Sequence, residues 1–247
     1  MGIPFLTHTP IHGICPFGGV VSLYQFLTSG SLIRMVHQSA MILMLAVFLL
    51  TILFGPAFCG WICPFGTVQE LFSKIGRKVL GKRFNVFPGG KKTERIDFAL
   101  RFLRYIILAL VVINTARLGR LVFEKYDPYF ALFHLFKDEA AISSFIVLGF
   151  VLALSLVMER PFCKYICPYG ALLGLFNLFS VFRPVRKEEG CTKCGLCNAK
   201  CPMNIKVSEK KSVRNHQCIS CLECTSEKIC PVPDTVNFAA GNYRRPK

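Results

Sequence analysis

Eight cysteines between residues 191 and 230 constrain the fold more than any other feature of the chain. Cys191-Thr-Lys-Cys194-Gly-Leu-Cys197-Asn-Ala-Lys-Cys201-Pro202 reads C-x2-C-x2-C-x3-C-P. Cys218-Ile-Ser-Cys221-Leu-Glu-Cys224 repeats its first three positions, and Cys230-Pro231 closes the second run after five residues instead of three. A cubane needs four converging thiolates. Three close cysteines wrap one cluster, and in the two-cluster pattern the fourth of each run serves the other cluster. The spacing therefore groups Cys191, Cys194, Cys197 and Cys230 around one [4Fe–4S] cluster, and Cys218, Cys221, Cys224 and Cys201 around a second. Zinc, the rival ion, usually takes four ligands in two pairs rather than two triplets each followed by Cys-Pro. The total of 13 cysteines is odd and argues against a disulfide framework and for a reducing compartment.

Ahead of this tail the composition changes. The whole chain is 53% hydrophobic, with a mean hydropathy of +0.46 and a formal charge of +16. Three stretches read as membrane spans, 39–58, 99–118 and 140–158, each about 20 residues long. Arg101 and Arg104 in the second are expected to snorkel to headgroups. Gly66 to Leu80 is amphipathic, with Val68, Leu71, Phe72, Ile75 and Val79 at helical spacing, and Gly170 to Phe182 is apolar but short. Both read as interfacial helices. Ten Lys/Arg stand against two acids over 74–104, and four of each sign over 117–139. The positive-inside rule then places the first loop and everything after Met158 in the cytoplasm. Basic residues spread over span-flanking loops make nucleic acid an unneeded explanation of the charge.

The apolar part carries a repeat. Phe58-Cys59-Gly60-Trp61-Ile62-Cys63-Pro64-Phe65-Gly66 recurs 104 residues later as Phe162-Cys163-Lys164-Tyr165-Ile166-Cys167-Pro168-Tyr169-Gly170, identical at six of nine positions. Each copy puts its cysteines at i and i+4, one turn apart on a helical face. The preferred reading is that Cys59, Cys63, Cys163 and Cys167 share one further metal or cluster site. A redox-active thiol pair and inert structural cysteine are the alternatives. Ile14-Cys15-Pro16-Phe17-Gly18 is a partial third copy, and Cys15 is expected to be structural or of unknown role.

The paired F-C-x3-C-P-[FY]-G motifs followed by the eight-cysteine tail resemble the NapH-type membrane ferredoxins. These are the quinol-oxidising subunits associated with periplasmic nitrate reduction. The regulatory flavoproteins of nitrous-oxide respiration and a cupric-reductase assembly factor of cytochrome oxidase share the arrangement. The resemblance covers roughly residues 12 to 235. Family members usually carry one more span before the first Cys-Pro motif, so a truncated chain or a shorter relative is expected here.

No Gly-rich phosphate loop and no Cys-x-x-Cys-His haem motif is present, and the five histidines are not paired at helical spacing within an expected span. His37 and His134 fall at expected span ends, where either an ordinary interfacial role or a hydrogen bond to a quinone headgroup suits them.

These observations imply an α-helical integral membrane domain over 1–182, with about three spans plus interfacial helices. A C-terminal ferredoxin-like α+β two-cluster domain over 183–247 follows it. The expected setting is a bacterial or archaeal cytoplasmic membrane, with the tail in the cytoplasm. The expected role is electron relay between a quinol or cytoplasmic donor and a partner redox protein. A cupric reductase and a redox-sensing regulatory or assembly factor are the rivals. The expected partners are the lipid bilayer, redox proteins and a quinone, with no nucleic acid.

Overall fold

A computed structural model describes residues 38–81, 91–118, 128–133 and 142–240. Cys15, His37 and His134 lie outside the described residues, as do most of the N-terminal segment and of the 117–139 loop. The helices are α1 (Gln38–Phe54), α2 (Pro64–Leu80), α3 (Lys91–Leu118), α4 (Pro128–Phe133), α5 (Ile142–Ser155), α6 (Pro161–Tyr165), α7 (Pro168–Asn177) and α8 (Leu196–Ala199). A single π turn covers Phe58–Ile62, and the strands β1 (Phe182–Arg186) and β2 (Val236–Ala240) form one antiparallel pair with Phe182 opposite Ala240.

Residues pack into two units, one of residues 1–49 and 108–149, the other of 50–107 and 150–247. In the first, Met44, Val47, Val111, Ala131 and Leu148 are buried. The second holds both cysteine systems.

The expected membrane spans are not realised. Among the described residues no helix is long and apolar enough to cross a membrane. The causes are local. α1 has 17 residues, about 26 Å at helical rise against a bilayer core of about 30 Å. It ends where Gly55 takes a left-handed φ of 74° just before Pro56. α5 is shorter still, at 14 residues. α3 is long enough at 28 residues but carries Asp97, Arg101 and Arg104 along its course. With no spans to orient, the inference of a multi-pass protein in the cytoplasmic membrane, with its tail on the cytoplasmic side, loses its basis. The same holds for the expected membrane domain as a fold class.

α2 shows how the helices pack. Its sequence is amphipathic, yet the buried stripe is Gly66, Gln69, Ser73 and Gly76, while Leu71, Ile75 and Val79 are exposed. Spacing of three and four residues puts the small and polar set on one face. A Cβ at Gly76 would overlap the Leu156 backbone, so only glycine permits that approach.

The tail is built the other way. Met203, Ile205, Val207, Val213, Ile219 and Val236 are buried together with Cys197, and Cys59, Cys201, Cys218, Cys221, Cys224 and Cys230 pack against them. Phe182, Phe238 and Phe54 stack beside the sheet, with Phe54 and Phe182 centroids 5.4 Å apart. The Val181 amide donates to the Ile52 carbonyl at 2.9 Å.

Candidate functional site

Each cysteine run of the tail folds through the same backbone turns. Lys193 and Gly195 flank Cys194 with φ of 56° and 74°, and Ser220 and Leu222 flank Cys221 with 50° and 61°. Three of these four residues are not glycine, so the left-handed backbone carries a steric cost that their surroundings must offset. In each run the amide two residues on donates to the central thiol, Leu196 to Cys194 and Glu223 to Cys221.

Two hollows result. One is lined by Cys191, Cys194, Cys197 and Cys230. The other is lined by Cys201, Cys218, Cys221 and Cys224. Each set takes three thiols from one run and the fourth from the other. Burial pushes the Cys218 thiol up to about 11, Cys221 to about 12 and Cys224 higher still. Such thiols stay neutral alone and become thiolates when a cationic iron centre stabilises them. Thiol donors are of the type that ligates iron–sulfur clusters, although here their side chains are not drawn together around one centre. Cys194, by contrast, is exposed, and hydrogen bonds from the Leu196 amide and Thr192 hold its thiol low. Among the described residues no group of three or more His, Cys, Asp or Glu is disposed to hold a metal ion.

The repeat copies adopt matching geometry, but not one continuous helix. Cys59 lies in the π turn, whereas Cys63 sits extended at φ −62°, ψ 110° and caps α2; Cys163 lies in α6, and Cys167, at −61° and 110°, caps α7. Pro64 and Pro168 enforce the break, since the residue before proline avoids helical backbone while proline itself suits a helix's first position. In both copies the second cysteine's amide reaches back five residues at 2.9 Å, Cys63 to Phe58 and Cys167 to Phe162.

The copies also contact each other reciprocally. Phe58 meets Tyr169 edge-on at 6.0 Å, and Phe65 meets Phe162 at 5.2 Å. Shifting either pair by the repeat offset exchanges it for the other, so the copies pack as a pseudo-two-fold pair. All four thiols fall within one another's electrostatic range: Cys59 feels Cys63 and Cys163, and Cys167 feels Cys163, Cys59 and Cys63. Burial pushes the Cys163 thiol to about 11. The fully buried Gln69 amide donates to the Cys163 sulfur at 3.6 Å, and the Gly170 amide to that of Cys167 at 3.3 Å.

Charged side chains missed by the sequence reading join repeat to tail. Asp97 accepts from Lys164 at 2.8 Å, from Arg101 at 2.5 Å and from the Tyr165 hydroxyl. Burial alone would raise the Asp97 pKa, but its hydrogen bonds to Lys164 and Tyr165 hold it low. Arg101 continues to the Met203 and Asn204 carbonyls at 3.3 and 3.4 Å. Arg104 is buried and donates to the His216 carbonyl at 2.8 Å and to Gln217 Oε1 at 3.2 Å. Neither arginine snorkels; both dock the tail. Their spacing of i, i+4 and i+7 from Asp97, on one face of the helix, was the available signal. Arg160, 4% exposed at its side chain, donates to the Cys59 carbonyl and to Glu70, each at 2.7 Å. Trp61 Nε1 donates to the Ser220 carbonyl at 3.0 Å.

Comparison with known proteins places this geometry in a class. A family described as a 4Fe-4S binding domain matches residues 36–83 and 140–186, one copy of the Cys-Pro motif in each. A protein of Methanocaldococcus jannaschii without assigned function is 33% identical over 213 residues, covering 86% of this chain and 82% of its own length. YccM of Escherichia coli, whose name assigns it provisionally to electron transport, is 32% identical over 235 residues, 93% of this chain and 63% of its own. The ferredoxin-type protein NapH of Haemophilus influenzae is 29% identical over 70% of this chain and 59% of its own. The chain thus spans less than two thirds of YccM and NapH. No solved structure matches. The class is that of iron–sulfur electron-transfer proteins, and the chain belongs to the NapH-type ferredoxin family.

Proposed function

We propose that this chain relays single electrons from a donor, quinol among the candidates, to a partner redox protein through two tail clusters and one group held by the repeat. Cys191, Cys194, Cys197 and Cys230 hold the first cluster, and Cys218, Cys221, Cys224 and Cys201 the second. Cys59, Cys63, Cys163 and Cys167 hold the third group. The division of labour follows residues 1–182 and 183–247. The observation that carries this reading is the lining of each tail hollow by four thiols, three from one run and one from the other.

Bound clusters supply one-electron chemistry. The chain's own residues orient and insulate them. The left-handed turns aim amides at the central thiols, and the apolar residues around Met203 keep water from the second hollow. The exposed Cys194 leaves the first hollow as the face at which a partner docks. For the repeat, electrostatic proximity of four half-buried cysteines and the match of each copy to a 4Fe-4S binding family support a shared site.

Full-length protein reconstituted under argon tests this. About twelve iron atoms per chain are expected from three cubanes, and about eight after Cys59 and Cys63 are both changed to serine. Replacing Cys163 and Cys167 as well should do no further harm, because members of one unit are non-additive. Four or fewer irons, or stoichiometric zinc, would sink the tail assignment. No loss of metal in the Cys59/Cys63 variant would sink the repeat site and favour the redox-thiol reading.

A further inference from the structure

Arg160 has four unusual properties at once. Its backbone is left-handed, with φ 48° and ψ 53°, although it is not glycine. Its guanidinium is almost wholly buried, bonded on one side to the Cys59 carbonyl and on the other to Glu70. Its Nε has no hydrogen-bond partner among the described residues. The thiols of Cys163, in the repeat, and Cys221, in the tail, both act on its charge. The contact beside it is equally close: a Cβ at Gly60 would lie 2.5 Å from the Ile219 carbonyl and 3.4 Å from Cys221 Cα. The first motif's backbone therefore lies directly against the second tail run, and Arg160 bonds that same backbone one residue earlier, at the Cys59 carbonyl.

A buried left-handed arginine is costly twice over, in backbone strain and in desolvated charge. Glu70 is half-exposed and offsets only part of the charge. A buried guanidinium within electrostatic range of thiols in both repeat and tail is better compensated when those sulfurs bear negative charge. Hydrogen bonds and charge near the sulfurs are established means of setting a cluster's potential.

Building on the cluster assignments above, we propose that Arg160 is the positioning residue that sets the potentials of the repeat site and the second tail cluster together, making them direct electron-exchange partners. With both groups bound, Cys59, Cys63, Cys163 and Cys167 would hold the one-electron donor, and Cys201, Cys218, Cys221 and Cys224 the acceptor that its oxidation reduces. No bond forms or breaks, and no proton must move. The arginine charge stabilises the added electron at either end. The first tail cluster, with Arg160 acting on none of its thiols, follows as the exit.

The test is a potentiometric titration of full-length, cluster-loaded protein, poised with dithionite and read by electron paramagnetic resonance. Arg160→Gln should lower the midpoint of the second tail cluster by about 59 mV or more, a tenfold change in its reduced fraction at fixed potential. The first tail cluster, marked by its loss in Cys194→Ser, should not move. Arg160→Lys should restore most of the shift. Glu70→Gln leaves Arg160 in place with less compensation and should raise the same midpoint. If Arg160→Gln fails to take up iron, the sign of the Glu70→Gln shift decides alone. Unmoved midpoints in both variants, or equal movement of both tail clusters, overturn the inference. Absence of cluster signals from the unaltered protein overturns the iron–sulfur reading and this inference with it.

Discussion

The repeat and the tail hold cysteines by opposite means. In the tail, apolar side chains such as Met203 and Val207 are inside and the polar loops outside. In the repeat and its flanking helices, Gln69, Ser73, Arg104, Arg160 and Lys164 are inside, while Leu71, Ile75, Phe98, Phe102, Ile106 and Phe179 face outward. The tail is thus organised by hydrophobic burial around its cluster hollows. The repeat is organised by hydrogen bonds and ion pairs that become strong because they are dry. A short apolar core tolerates shifts in loop length, as the longer spacing before Cys230 shows. A buried charge network tolerates nothing that leaves one member unpaired.

The comparison breaks most readily at Asp97. Asp97→Asn strips Lys164 and Arg101 of their shared counter-charge, and a cost of about 3–5 kcal/mol is expected. Urea unfolding should show it as a lowered midpoint, and adding Lys164→Met should recover part of the loss. Equal stability of Asp97→Asn and the parent would mean that the network is not what holds the repeat. A smaller effect is expected at the junction. Gly60→Ala forces a Cβ onto the Ile219 carbonyl, at about 1–3 kcal/mol. Iron content should persist while magnetic coupling between the repeat site and the tail weakens; undiminished coupling would remove Gly60 from the junction. The smallest change belongs to the outward face of α2. Leu71→Gln and Ile75→Gln should each alter stability by no more than about 0.5 kcal/mol. They should nevertheless reduce self-association measured by sedimentation, since that apolar face is exposed among the described residues. A large loss of stability there would show that the face is internal after all.

Sequence was most informative where chemistry fixes spacing. The grouping of Cys230 with Cys191 and of Cys201 with Cys218 follows from thiolate counting, and the family is legible from the Cys-Pro motifs. It was least informative where hydropathy alone was read. Residues 39–58 and 140–158 are apolar enough for spans, but Gly55-Pro56 and the end of α5 at Ser155 shorten the helices. Arg101 and Arg104 looked like span-end residues because their partners, the Met203 and His216 carbonyls, lie about a hundred residues away. No periodicity records such contacts. The cysteine pairs were read as one helical turn, and the prolines beside Cys63 and Cys167 should have warned that each pair straddles a break.

The reciprocal ring contacts of Phe58 with Tyr169 and Phe65 with Phe162 also impose a timetable on the ribosome. The first motif is complete 104 residues before its counterpart exists. At about 5–20 residues per second, that leaves Cys59 and Cys63 waiting for roughly 5–20 s of synthesis with half of their pocket unbuilt. Iron delivered during that interval meets two thiols and cannot be enclosed. On the proposed assignment, loading of the repeat would therefore be a late event in the life of the nascent chain, coming as one step for both halves.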